Sequence, residues 1–98
     1  MYATVTEIAC KSPTDLEHAV GALGGLQAEV QQIPGFNALY VIRTGEQALV
    51  MVTLYVSEQD ADAVSAQARA HLGQVIGPHV SGPPRRMAGE IVLPRERG

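Results

Sequence analysis

The sequence predicts a single α+β domain over residues 1–98, in the order β-α-β-β-α-β, with a four-stranded antiparallel sheet. Three observations carry this expectation. Two Ser-x-x-Asp helix openings, Ser12–Asp15 and Ser57–Asp60, each precede a run of helical apolar periodicity. Pro34-Gly35 and Gly77-Pro78 close those two runs. Between the halves, two strand-like stretches are separated only by Thr44-Gly45, the signature of a tight hairpin.

The elements follow in order. Tyr2 to Ala9 is rich in Val, Thr, Ile and Tyr and reads as a strand. Ser12 is the N-cap of the first helix, Pro13 suits its first turn, and Asp15 completes the capping box. Leu16, Val20, Leu23, Leu26 or Gln27, Val30 and Ile33 then line one helical face. Phe36 to Arg43 and Glu46 to Val56 are the second and third strands. A two-residue loop between them sets Arg43 opposite Glu46. Ser57 caps the second helix, whose stripe is Ala61, Val64, Ala68, Leu72 and Val75. A Gly/Pro-rich connection leads to a last strand from Arg85 to Leu93, and the charged tail from Pro94 is expected to fray.

Composition narrows the classes of function. Hydrophobic residues make up 46% and charged residues 17%, the balance of a globular chain. A net charge of −3 argues against nucleic acid as a partner. No apolar run is long enough to span a bilayer, so no membrane partner is expected. The first residues carry neither a basic segment nor an apolar run of the signal-peptide kind, and Cys10 is the sole cysteine. A reducing cytoplasm is the expected location. The chain contains no phosphate-binding Gly-rich motif, no C-x-x-C and no H-E-x-x-H, so neither a nucleotide nor a metal is anticipated.

Strand alternation sorts side chains onto two faces. With the two-residue hairpin, Phe36, Ala38, Tyr40 and Ile42 share a face with Leu49, Met51, Thr53 and Tyr55. Leu39 and Val41 share the other with Ala48, Val50, Val52 and Leu54. Both faces are apolar, yet two helices cover only one. The other face calls for a second copy of the chain, a homodimer stacked sheet to sheet.

The run Ile33-Pro34-Gly35-Phe36, a strand ending in Arg43, and a strand leading into Tyr55-Val56-Ser57-Glu58 resemble the antibiotic-biosynthesis-monooxygenase-like family, as does Gly82-Pro83-Pro84 before the last strand. The resemblance runs from Tyr2 to Pro94. It implies a dimeric α+β barrel with ferredoxin-like protomers, and a small-molecule monooxygenase acting without a cofactor on an apolar or aromatic metabolite. The alternative is a non-catalytic ligand-binding or structural homodimer of the same fold. Many family members carry Trp at the position of Tyr55, whereas this chain has none. Haem-degrading members use an Asn on the first strand, where this chain offers Thr4, Thr6 and Glu7. Haem degradation is therefore not expected.

Candidate chemistry rests on few residues. Tyr40, Thr53 and Tyr55, set among Phe36 and Met51, would orient a polar aromatic substrate, or else enrich a dimer interface. His71 borders the second helical stripe, as a pocket base, as a metal or haem ligand, or as an inert helix-edge residue. The expected catalytic groups are thus Tyr40, Tyr55 and His71, with Phe36, Met51 and Thr53 contacting substrate. His18 reads as solvated, and His79 as a plain loop residue or as one that closes over a pocket mouth. Of Arg85 and Arg86, at most one enters a given pocket. Glu7 and Glu90 would form an acid pair only if their strands aligned them. Gly21, Gly24 and Gly25 suggest close helix packing or a helix break, or space left for a ligand.

Overall fold

A computed structural model describes residues 1–93, apart from the side chains of residue 27 and residues 65–68. The elements are β1 (Tyr2–Ala9), α1 (Pro13–Val30), β2 (Phe36–Arg43), β3 (Ala48–Tyr55), α2 (Glu58–Ile76), a 3-10 turn (Gly77–His79) and β4 (Arg85–Glu90). The strands form one antiparallel sheet in the order β2-β3-β1-β4. β1 and β2 have the predicted bounds, while the third and fourth strands are shorter than the expected Glu46–Val56 and Arg85–Leu93. The charged tail and the Ala68 and Gln27 positions of the helical stripes lie outside the described residues and side chains.

Both helices begin as the capping residues require. The Asp15 N–H donates to Ser12 Oγ at 3.1 Å, and that hydroxyl donates to Asp15 Oδ2 at 2.7 Å. Ser57 and Asp60 repeat the arrangement at 3.2 and 2.9 Å. The apolar faces of the helices meet the sheet at one end. There Ile8, Cys10, Leu16, Ala19, Leu23, Leu49 and Ile76 form the buried core. Ala19 takes the inward place expected of Val20, which is exposed.

The β2–β3 hairpin departs from the two-residue turn. Arg43 pairs with Leu49, not Glu46, and the Thr44 N–H donates to the Ala48 carbonyl at 3.0 Å. Gly45, Glu46 and Gln47 form the loop. Gln47 explains the extra residue: its carbonyl accepts from the Cys10 N–H at 2.6 Å, and its side-chain amide donates to the Lys11 carbonyl at 2.9 Å. The loop thereby finishes the ladder at the end of β1, satisfying backbone groups that would otherwise lack partners. The Arg43 guanidinium instead donates to the carbonyls of Gly45 and Glu46.

One added loop residue inverts β2 relative to β3. Leu39 and Val41 lie opposite Thr53 and Met51, on the helix side, whereas Tyr40 lies opposite Val52 on the uncovered side. A bulge between Phe36 and Ala38 inverts the strand again, returning Phe36 to the helix side opposite Tyr55. Tyr40 is therefore not beside Tyr55 and Thr53 as expected; it is 56% exposed on the other face. Ala38 and Ile42 move with it. Their uncovered face also holds Ala3 and Val5 of β1, Val50, Val52 and Leu54 of β3, and Met87 of β4.

α1 is unbroken through Gly21, Gly24 and Gly25, and a Cβ at any of the three meets nothing within 4 Å. Neither close packing nor a helix break accounts for these glycines. Ala at all three should therefore stabilise the chain by about 2 kcal/mol, because helical Gly costs up to about 1 kcal/mol in backbone entropy relative to Ala. Urea denaturation of the triple variant checks this as an upward shift in midpoint at unchanged slope.

Candidate functional site

The cavity arises where the helices leave the sheet. Ile8 and Leu49 pair at the closed end, and the next rows of the helix-side face run Thr6–Met51, Thr4–Thr53 and Tyr2–Tyr55. On that side the small Thr side chains of β1 and β3 do not reach the helices, so a space of about 960 Å3 opens between the layers. Leu23, Leu26 and Ile33 roof it from the α1 side and Leu72 and Ile76 from α2, while Phe36, Leu39 and Met51 extend the floor. This volume suits a multi-ring metabolite.

Polar groups interrupt the apolar floor at a few points. Thr4, Thr6 and Thr53 are buried, and none of their hydroxyls bonds to a described side chain or backbone group. Among the described residues, no side-chain N or O is both sealed from solvent and unpartnered. The three hydroxyls therefore open onto the cavity, where a ligand group or water reaches them. Tyr55, 7% exposed, stands at the end of this hydroxyl row. Burial raises its pKa, partly offset by the nearby Arg86 guanidinium. The phenol thus stays protonated at neutral pH and presents an O–H donor.

Arg86 pairs with Thr6 across β1 and β4 and lines the cavity, while its neighbour Arg85 points to the other face. Arg85 sits 3.9 Å from Glu7 there. Glu7 and Glu90 are separated along the sheet, opposite Arg85 and Tyr2 respectively, so they form no acid pair. His71 reaches the cavity rim from α2. It is 51% exposed, with its Nε2 3.8 Å from Glu29 Oε2. An ion pair this exposed contributes little to stability. Cys10 is buried, and desolvation together with the Asp15 carboxylate raises its thiol pKa, which disfavours the nucleophilic thiolate.

Of the residues expected to act together, Tyr55, His71, Phe36, Met51 and Thr53 all line this one cavity, and Tyr40 does not. Sequence reasoning missed Thr4, Thr6 and Leu39. Period-two alternation backwards from Ile8 along β1 would have found the two threonines. Leu39 depended on the hairpin loop.

No protein-family model matches the chain, and no curated protein matches its sequence. Its fold does match solved structures. A protein of Nitrosomonas europaea named "Putative antibiotic biosynthesis monooxygenase" superposes with a TM-score of 0.80 at 14% identity, covering 95% of this chain and 100% of that one. The ActVA-Orf6 monooxygenase of Streptomyces coelicolor, solved with the ligand nanaomycin D, gives 0.69 at 26% identity, covering 96% and 92%. SnoaB of Streptomyces nogalater, a cofactor-independent oxygenase, gives 0.75 at 11% identity, covering 95% and 94%. The chain thus has the four-stranded α+β fold of proteins named as antibiotic biosynthesis monooxygenases, as its own residues implied.

Proposed function

We propose that the chain is a cofactor-independent monooxygenase that oxidises an aromatic metabolite bearing an acidic hydroxyl, held in the 960 Å3 cavity. The observation that carries this reading is the row of Thr4, Thr6, Thr53 and Tyr55 hydroxyls, with Arg86 beside it, on a floor whose other side chains include Phe36, Leu39 and Met51. An aromatic body fits the apolar walls, and its hydroxyl finds donors along that row. The named activities of the fold neighbours in Streptomyces support the same class of reaction.

In this mechanism His71 accepts the substrate's hydroxyl proton, while Tyr55 and Arg86 stabilise the phenolate oxygen by hydrogen bonding and charge. The electron-rich ring then reacts with O2. One oxygen atom becomes a new carbonyl on the ring; the other leaves as water with the two hydrogens the substrate loses, giving a quinone. The chain's part is to orient the ring and to favour its anion. The protein would work as a homodimer joined through the uncovered sheet face, in the cytoplasm, where Cys10 stays reduced.

One observation favours the second reading, ligand binding without turnover: the buried floor offers donors, and the base assigned to it, His71, lies half exposed at the rim. Oxygen consumption and thermal shift, measured together on a panel of naphthols and anthrones, separate the two. Catalysis predicts O2 uptake that falls about 100-fold in kcat on Tyr55→Phe, the usual cost of losing one oxyanion donor. Stabilisation by the same compounds without O2 uptake leaves a binding protein. Uptake unchanged in both Tyr55→Phe and His71→Ala removes the assigned roles.

A further inference from the structure

We infer that Asp15, His18 and His79 form a binding site for a divalent transition-metal ion, best suited to zinc, apart from the cavity. The three residues come from two parts of the chain. Asp15 and His18 stand three apart on the first turns of α1, and His79 ends the 3-10 turn that follows α2. His79 Nδ1 lies 2.9 Å from Asp15 Oδ1, and the His18 and His79 rings meet edge to face with centroids 5.3 Å apart. One ligand atom from each residue lies within 4.8 Å of the other two. Ligands bound at about 2.0–2.1 Å to one tetrahedral ion stand roughly 3.3 Å apart, so Asp15 and His79 are already near that spacing. His18 is exposed and needs only a side-chain rotation to close the remainder.

The donor set and its supports fit a metal better than a simple ion pair. Two imidazoles and one carboxylate suit zinc and its neighbours in the transition series, and they leave a coordination position for water. Ser12 holds Asp15 Oδ2 with its hydroxyl, so Oδ1 is left facing His79. Such outer contacts orient ligands at metal sites. His79 is fixed through the backbone. Its carbonyl accepts from the Lys11 N–H at 2.9 Å, and the Ser81 N–H donates to the Ala9 carbonyl at 2.9 Å. A bound ion would take the place of the proton now between Nδ1 and Oδ1, and would clasp the start of α1 to the end of α2. None of the three residues lines the cavity, and all stand on the helix layer, away from the uncovered sheet face.

Titration calorimetry of the full chain with ZnCl2 tests the site. The expected result is one ion per chain, reversed by chelator and weakened by acid at about pH 5, because protons compete for the imidazoles. His18→Ala and His79→Ala should each weaken binding at least about tenfold, a loss that even an outer contact can cause. His71→Ala should bind as the unmodified chain does. His18 is exposed, so its variant should fold, which far-UV circular dichroism verifies. Visible absorption of bound Co2+, present in the unmodified chain and lost in His18→Ala, gives a second readout. Absence of binding at about 100 µM free zinc overturns the site, as does full affinity in both His18→Ala and His79→Ala, or loss confined to His71→Ala.

Discussion

Replacing Val52 with Asp is expected to leave a folded monomer, whereas the proposed assembly makes the unmodified chain a dimer. Val52 sits on an interior strand, at the middle of a cross-sheet row that runs Tyr40–Val52–Val5–Met87. Tyr40, Ile42 and Met87 are each about half exposed on this face, a pattern that monomers seldom present over a contiguous area. Covering roughly 400 Å2 of apolar surface on this face contributes about 10 kcal/mol before the costs of association. A carboxylate placed at its centre is either buried without a partner or keeps water in the interface, at a cost of several kcal/mol. A loss of about 4 kcal/mol raises the dissociation constant about a thousandfold. Sedimentation velocity at about 10 µM should then find dimer for the unmodified chain and monomer for Val52→Asp, with the same far-UV circular dichroism. An unmodified chain that sediments as a monomer at that concentration removes the proposed assembly.

Gly35→Ala should destabilise the fold by about 3 kcal/mol, the reverse of the gain expected from the same exchange in α1. Gly35 turns the chain from α1 into β2 at φ +83, a left-handed conformation that costs an L-residue about 1–2 kcal/mol. A methyl group there would also overlap the Asp60 side chain, including its Cγ and Cβ. Asp60 cannot withdraw freely, because its carboxylate accepts from the Ser57 hydroxyl in the capping box of α2, a contact worth about 1 kcal/mol. The Gly35 carbonyl in turn accepts from the Val56 N–H at 2.8 Å, so the turn is tied to the strand end as well. Urea melts of Gly35→Ala and of the α1 triple variant should move in opposite directions. A Gly35→Ala midpoint equal to that of the parent would show that the turn relaxes at little cost.

Features that depend on neighbours in sequence were legible without coordinates. Ser12–Asp15 and Ser57–Asp60 cap their helices through contacts three residues apart, so composition and spacing suffice to locate both N-termini. β1 and β2 have the expected bounds because their β-branched and aromatic runs end at strong turn signals. The same local pattern placed Thr53, Met51 and Tyr55 together on β3, and all three line the cavity.

Whatever turned on loop length or on distant partners was not legible. Thr44-Gly45 reads as a complete two-residue turn, but Gln47 is held at the end of β1, some 36 residues away in sequence, and that contact lengthens the loop. The consequence falls on Tyr40, carried to the uncovered face, while the bulge beyond Ala38 spares Phe36. His79 read as a loop residue because its partners, Asp15 and His18, stand more than sixty positions earlier. Sequence alone determined the element order, the helix starts and the apolar character of both sheet faces, since propensity, capping and alternation act over a few residues. The tertiary structure decided which side of β2 faces the cavity and which polar groups meet, because side-chain parity inverts with each inserted residue and only the closed hydrogen-bond ladder counts them.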